Sequence, residues 1–157
     1  MTQSVNDMSP RIRRGLLQAP EFNVAIFSFL LNFVWEIWQV PFFAGMAEAS
    51  HWAAVEGCTR ATAGDVAMML VAFWAVAIVT RSRAWILHPG WRHVAGFTAT
   101  GFAMTVLMEW LATGSLNRWA YADSMPIVPF LGIGLLPALQ WLLLPPLVVW
   151  FTRRQIN

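Results

Sequence analysis

Four long apolar runs, divided by short connections that hold nearly all the charge, constrain this chain more than any other feature. From Asn23 to Phe43 the only ionisable side chain is Glu36, from Ala63 to Thr80 it is Asp65, and from Val94 to Ala112 it is Glu109. From Pro126 to Phe151 there is none. A helix crossing the hydrocarbon core of a bilayer needs about 20 mainly apolar residues, with about 17–25 the working range. Each run meets that length. A transmembrane barrel would instead show many short segments of alternating polarity, and none is present. The sequence therefore predicts an all-α integral membrane bundle of four transmembrane helices, with spans over residues 23–43, 63–80, 94–112 and 126–151. With neither internal repeats nor a low-complexity linker, residues 1–157 read as a single domain.

Composition points the same way. Apolar residues make up 58% of the chain and charged residues 11%, and the mean hydropathy is +0.56. A soluble domain carries about 25% charged residues and needs them to stay dispersed. Here the surplus apolar surface has to face lipid.

All ten basic residues are arginines. Arg11, Arg13 and Arg14 precede the first span, Arg81, Arg83 and Arg92 separate the second from the third, and Arg153 and Arg154 follow the fourth. Only Arg60 and Arg118 fall in the other two connections. By the positive-inside rule both termini are cytoplasmic, as expected of a multi-pass protein of the bacterial inner membrane. The first run exceeds the about 7–15 residues of a signal-peptide core and carries Glu36 and Gln39, so it reads as a retained helix despite the cleavage-like Ala47-Glu48-Ala49.

The inventory narrows the chemistry. Without lysine there is no Schiff-base chemistry of the retinal or pyridoxal kind. One cysteine, Cys58, allows neither an internal disulfide nor a multi-cysteine metal centre. His51, His88 and His93 all lie outside the apolar runs, which argues against a haem ligated in mid-membrane. No cofactor is expected. The sequence pI near 9.5 comes from arginines that flank spans, so no nucleic-acid partner is expected either.

Ionisable groups inside spans are costly and carry the functional information. In the first span Asn32, Glu36 and Gln39 share one helical face through their i, i+4, i+7 spacing. Asp65 is expected to open the second span from the outside and Glu109 to close the third, so the carboxyls gather towards the outer face. Gln140 is expected in the cytoplasmic half. Glu36, Asp65 and Glu109 are the candidate catalytic groups, and Asn32, Gln39, Trp35, Trp38, Trp110, Arg118, Trp119 and Tyr121 are candidates for holding a substrate. Simpler roles stand beside these: a structural clamp for Glu36, a helix cap for Asp65, and an ion pair with Arg60 or Arg118 for Glu109. His51, Glu56 and Cys58 in the outer loop are weak metal-ligand candidates. Pro137 should break the fourth span and expose the carbonyl of Ile133. Trp85, Trp91 and Trp150 should form the inner aromatic belt and Trp52, Trp110 and Trp119 the outer one. Ala95, Ala99 and Ala103 form a stripe that would let another helix approach closely.

Glu109-Trp110-Leu111-Ala112-Thr113-Gly114, then Arg118-Trp119-Ala120-Tyr121 and Met125-Pro126, resembles a stretch of the carotenoid-modifying membrane proteins, namely the small lycopene cyclase subunits and the carotenoid hydratases. In those families an intramembrane acid ends one helix, an aromatic loop follows, and a proline-bearing helix comes next. The doubled acid of a lycopene cyclase helix, Pro-x-Glu-Glu, is absent here. The resemblance implies a lipid-soluble polyene or isoprenoid substrate. Protonating such a double bond needs a carboxylic acid kept neutral by low-dielectric surroundings, and aromatic faces to stabilise the resulting carbocation. Two other readings remain open at this point. One is a non-enzymatic accessory or assembly subunit of a membrane complex, or a homo-oligomer; the other is a proton, ion or small-solute path. In each case the expected partner is a membrane lipid, a hydrophobic small molecule or another membrane protein.

Overall fold

The computed structural model describes residues 15 and 17–157. Arg11, Arg13 and Arg14, which carry part of the orientation argument, lie outside the described residues. Helix α1 (Pro20–Gln39) starts on a proline, where the missing N–H is no loss. Asn23 secures that start by donating from Nδ2 to the carbonyls of Leu17 at 2.8 Å and Ala19 at 2.9 Å. The chain continues through a short 3-10 turn, Val40–Phe42. Helix α2 (His51–Thr80) begins where Ser50 Oγ accepts from the Ala53 N–H. Helix α3 (Trp91–Trp110) passes into a π-type turn over Leu111–Ser115. Helix α4 (Leu135–Ile156) closes the chain. These four segments are long and apolar enough to cross a membrane, and no strand occurs among the described residues.

The helices form a ring in chain order: α1 packs on α2 and α4, and α3 packs on the same two neighbours. The described arginines Arg81, Arg83, Arg92, Arg153 and Arg154 lie at one end, and the α1–α2 and α3–α4 connections cover the other. At the arginine end Trp85 is buried between Phe73 and Phe97, with ring centroids 5.6 and 5.7 Å away, and its indole donates to the Phe73 carbonyl at 3.3 Å. Trp85 therefore belongs to the core, not to the inner belt expected for it. The 3-10 turn Arg83–Leu87 folds its ring inward, whereas Trp91 and Trp150 are exposed.

Two span boundaries differ from the sequence reading, and both shifts matter. The second helix begins at His51 rather than Ala63, because nothing between those residues breaks a helix and Ser50 caps its start. Glu56, Cys58 and Arg60 are thus helical rather than in a loop. The fourth helix begins at Leu135 rather than Pro126. Residues 126–134 instead make a tight reversal, with Val128 N–H donating to the Ile133 carbonyl at 2.8 Å and Leu135 N–H to the Pro126 carbonyl at 2.7 Å. Gly132, at φ +67°, supplies a conformation that residues with a Cβ rarely adopt. Pro137 consequently sits in the first turn of α4, where it breaks no hydrogen bond, and the Ile133 carbonyl is already used. The prolines inside the helix are Pro145 and Pro146.

The two covering connections are tied together. Phe43 pairs with Tyr121 in an antiparallel bridge, with Ala44 N–H donating to Ala120 at 2.9 Å and Ala122 N–H to Phe42 at 3.0 Å. Ser124 Oγ donates to the Pro41 carbonyl at 3.4 Å. The aromatic loop after α3 is thereby fixed over the end of α1.

Candidate functional site

At 1.5 Å per residue, Glu36, Asp65, Glu109 and Gln140 lie between about 22 and 27 Å from the arginine end of their helices. They share one level, near the end of the bundle opposite Arg81, Arg83, Arg92, Arg153 and Arg154. Asp65 stands fifteenth in α2, deep within the helix, so it is not the cap its expected position suggested.

Gln140 organises the level. Its Nε2 lies 2.8 Å from Asn32 Oδ1, 3.0 Å from Asp65 Oδ2 and 3.2 Å from Glu36 Oε1. Two amide hydrogens thus serve three acceptors. Gln39 adds a second donor to Glu36 Oε1, from Nε2 at 2.8 Å. Glu36 and Asp65 thus meet at one amide nitrogen, that of Gln140, which brings the two carboxyls side by side. Asn32 is fully buried and donates to the Ser28 carbonyl at 2.8 Å. The polar face read in α1 therefore does point into the bundle, as membrane burial requires.

Gln140 was expected in the cytoplasmic half, and this placement corrects it. Starting α4 at Leu135 puts Gln140 in the second turn from the covered end, level with Glu36. Pro129, Gly132 and Gly134 were the signal that could have located it, because such a cluster marks a turn rather than a span.

Glu109 forms an adjoining arm. It is buried near the end of α3, where Tyr121 donates its phenol hydrogen to Glu109 Oε2, and Trp119 Nε1 donates to the same oxygen at 3.3 Å. The Tyr121 ring lies 5.7 Å from that of Phe43 and is covered by Gly134, whose missing Cβ would stand 3.1 Å from Tyr121 Cε1. Burial, followed by the hydrogen bond to the Glu109 carboxyl, holds the Tyr121 proton well above the ordinary phenol range. Neither Arg60 nor Arg118 pairs with Glu109: Arg60 bonds Glu56 at 2.7 Å, and Arg118 is exposed beside the π-type turn.

The structure thus brings together Asn32, Glu36, Gln39 and Asp65 around Gln140, and Glu109 with Trp119 and Tyr121, while Trp35 packs against the apolar core. It leaves other candidates apart. Trp38 is 74% exposed, and Trp110 donates to the Leu131 carbonyl at 2.6 Å, fastening α3 to the reversal before α4. His51 is exposed and Cys58 buried, and no three His, Cys, Asp or Glu side chains form a metal-holding group among the described residues. Ala95, Ala99 and Ala103 face outward from the bundle. It is Gly101 that allows close packing, against Trp141 of α4.

In comparisons with known proteins, no family model, curated protein or solved structure matches the chain.

Proposed function

We propose that this multi-pass membrane protein performs acid–base chemistry on a lipid-soluble isoprenoid or related polyene, with both termini cytoplasmic and the carboxyl site in the outer half of the bilayer. The observation that carries the reading is the Glu36–Asp65 carboxyl pair, bridged by Gln140 and without a cationic partner among the described residues. A carboxyl pair that retains one proton in low-dielectric surroundings is an acid held ready for transfer. The proton would pass to one carbon of a double bond, forming a C–H bond and leaving a carboxylate and a carbocation. Trp35, Trp119 and Tyr121 offer aromatic faces to that cation. Loss of a proton from a neighbouring carbon to the Glu109 carboxylate would restore neutrality, so the sequence needs no oxidant.

The test is the lipid and pigment profile of an expressing membrane. Glu36→Gln, Asp65→Asn or Glu109→Gln should lower product formation by about 10²-fold or more, the scale of a lost general acid or base, with insertion unchanged. Product formation unaltered in all three would overturn the reading. The outward-facing Ala95, Ala99 and Ala103 favour a second reading, an accessory subunit or homo-oligomer packed through α3. A stoichiometric partner retained through detergent extraction, together with unaltered lipids in those variants, would select it.

A further inference from the structure

Trp150, Arg153, Arg154 and Asn157 line an open cavity of about 370 Å³ at the arginine end of α4. Their i, i+3, i+4, i+7 spacing sets all four on one helical face, and all four are exposed. The Arg154 guanidinium lies over the Trp150 ring, 5.7 Å from its centroid, so the indole holds that cation at the cavity. Neither Arg153 nor Arg154 has an anionic partner among the described residues, where the ion pairs are Arg60 with Glu56 and Arg83 with Glu21. No acid follows Asp123 in the sequence, so α4 supplies none. Leu143 and Leu147 are half-exposed and continue the stripe of Trp150 and Arg154 towards the middle of the helix. This face of α4 is an apolar strip that ends in two unpaired guanidinium groups.

We propose that this face binds one anionic phospholipid, with Arg153 and Arg154 donating to its phosphate oxygens and an acyl chain lying along Trp150, Leu147 and Leu143. A guanidinium presents its N–H donors in a planar fork that matches phosphate oxygens two at a time. The cavity volume falls within the range of about 300–1,000 Å³ usual for small-ligand sites. The 22 residues of α4 rise about 33 Å, close to the thickness of a hydrocarbon core of about 30 Å. A crossing on α4 therefore sets its last turn at the level of lipid headgroups. A soluble anion would use the arginines alone, whereas the strip beneath them fits a ligand that carries a hydrocarbon chain. Arg92 supplies an internal contrast. It lies 5.4 Å from the centroid of the exposed Trp91 ring at the same end of the bundle and has no ion pair among the described residues, yet it does not line the cavity. Diffuse attraction to an anionic membrane surface would draw on Arg92 as much as on Arg153 or Arg154. A built site draws on the latter two. It lies at the end of the bundle opposite the carboxyls, so its occupancy is independent of the acid–base reading.

The experiment titrates the full chain, purified in detergent, with dioleoyl phosphatidylglycerol or dioleoyl phosphatidylcholine and resolves successive bound lipids by native mass spectrometry. The two probes share their chains and their phosphate diester, and differ in the choline cation that the arginines would repel. The first phosphatidylglycerol should bind about tenfold more tightly than the first phosphatidylcholine, the scale of one charge-assisted hydrogen bond. The double variant Arg153→Gln, Arg154→Gln should erase that preference, and Arg92→Gln should keep it. Glycerol 1-phosphate, a headgroup without chains, should not displace the bound lipid. Equal binding of the two lipids to the wild type overturns the proposal without recourse to any variant. A preference that survives the double variant, in protein whose helical circular dichroism is unchanged, overturns it as well. So does a preference that Arg92→Gln removes equally, since the charge of the whole end would then be responsible. Displacement by glycerol 1-phosphate would assign the arginines to a soluble anion and overturn the lipid assignment.

Discussion

The two ends of the bundle are built on opposite principles. Towards the arginine end, Phe73, Val76, Ala77, Trp85, Ile86 and Phe97 form an apolar core in which the one polar atom of Trp85 has a carbonyl partner. At the covered end, Asn32, Glu36, Gln39, Asp65 and Gln140 meet in a polar network whose acids lack a counter-cation among the described residues. Between membrane helices there is no hydrophobic drive, so tight packing and satisfied hydrogen bonds must supply cohesion. The aromatic half supplies the first. The polar half places costly groups where an apolar core would have sufficed, as the proposed acid–base site requires. Substitutions should therefore act on packing at one end and on chemistry at the other.

Gly101 offers the largest test of the packing side. A Cβ there would stand 2.3 Å from Trp141 Cζ3, so α3 and α4 must separate or the Trp141 ring must move. Gly101→Leu should cost more than the about 1–3 kcal/mol usual for overpacking. Unfolding in detergent would show it as a lowered midpoint or as failure to accumulate folded protein. A wild-type midpoint would mean that the close α3–α4 approach contributes no cohesion.

Next in size is Gln140→Leu, which keeps roughly the side chain's bulk but removes the donor shared by Asn32, Glu36 and Asp65. Each buried acceptor left unmade costs about 1–3 kcal/mol, and less at Glu36, to which Gln39 still donates. Product formation should fall further than stability does. Equal losses in the two would make the network a brace after all and erase the contrast between the ends.

Tyr121 tests the electrostatics of the polar end at the loop that covers it. Tyr121→Phe removes one donor to Glu109 and should cost about 1 kcal/mol. Because Tyr121 is the only tyrosine, its ionisation can be followed by absorbance near 295 nm without overlap from another phenol. Its proton is held above the ordinary range by burial and by Glu109, so the folded protein should show no tyrosinate near pH 10, where a free phenol is half ionised. The sign for stability follows. A raised folded-state value favours the protonated form, so the contribution is complete below about pH 10 and is lost as pH rises through the higher folded value. Tyrosinate appearing at pH 10 in folded protein would place Tyr121 in water and open the cover.

The unequal legibility of the two ends follows from the same physics. The four runs and the inward polar face of α1 could be read from the sequence, because burial in lipid forces apolar length and forces Asn32, Glu36 and Gln39 to one side. Trp85 was misplaced because a belt tryptophan and a core tryptophan look alike when a five-residue turn decides which way the ring points. Gln140 was misplaced because hydropathy cannot separate an apolar reversal from an apolar span: residues 126–134 are nearly as apolar as the helix they precede. The pairing of Asp65 with Glu36 depended on where α2 begins. Cap geometry fixes that boundary, and composition does not.

The smallest effect belongs to the arginine end. Arg83 Nη2 donates to Glu21 Oε2 at 3.3 Å and its Nε lies 3.2 Å from Oε1, joining the first turn of α1 to the α2–α3 connection. The Arg83 side chain is 60% exposed, so water and salt screen the pair. Arg83→Ala should cost less than about 1 kcal/mol, as exposed ion pairs do, and most of that should vanish in high salt. Cohesion at this end comes from the aromatic packing beneath the pair, which Arg83→Ala leaves in place. A cost matching that of Gln140→Leu, or one insensitive to salt, would show that the arginine end also depends on a polar bond, and the division between a packed end and a chemical end would fail there.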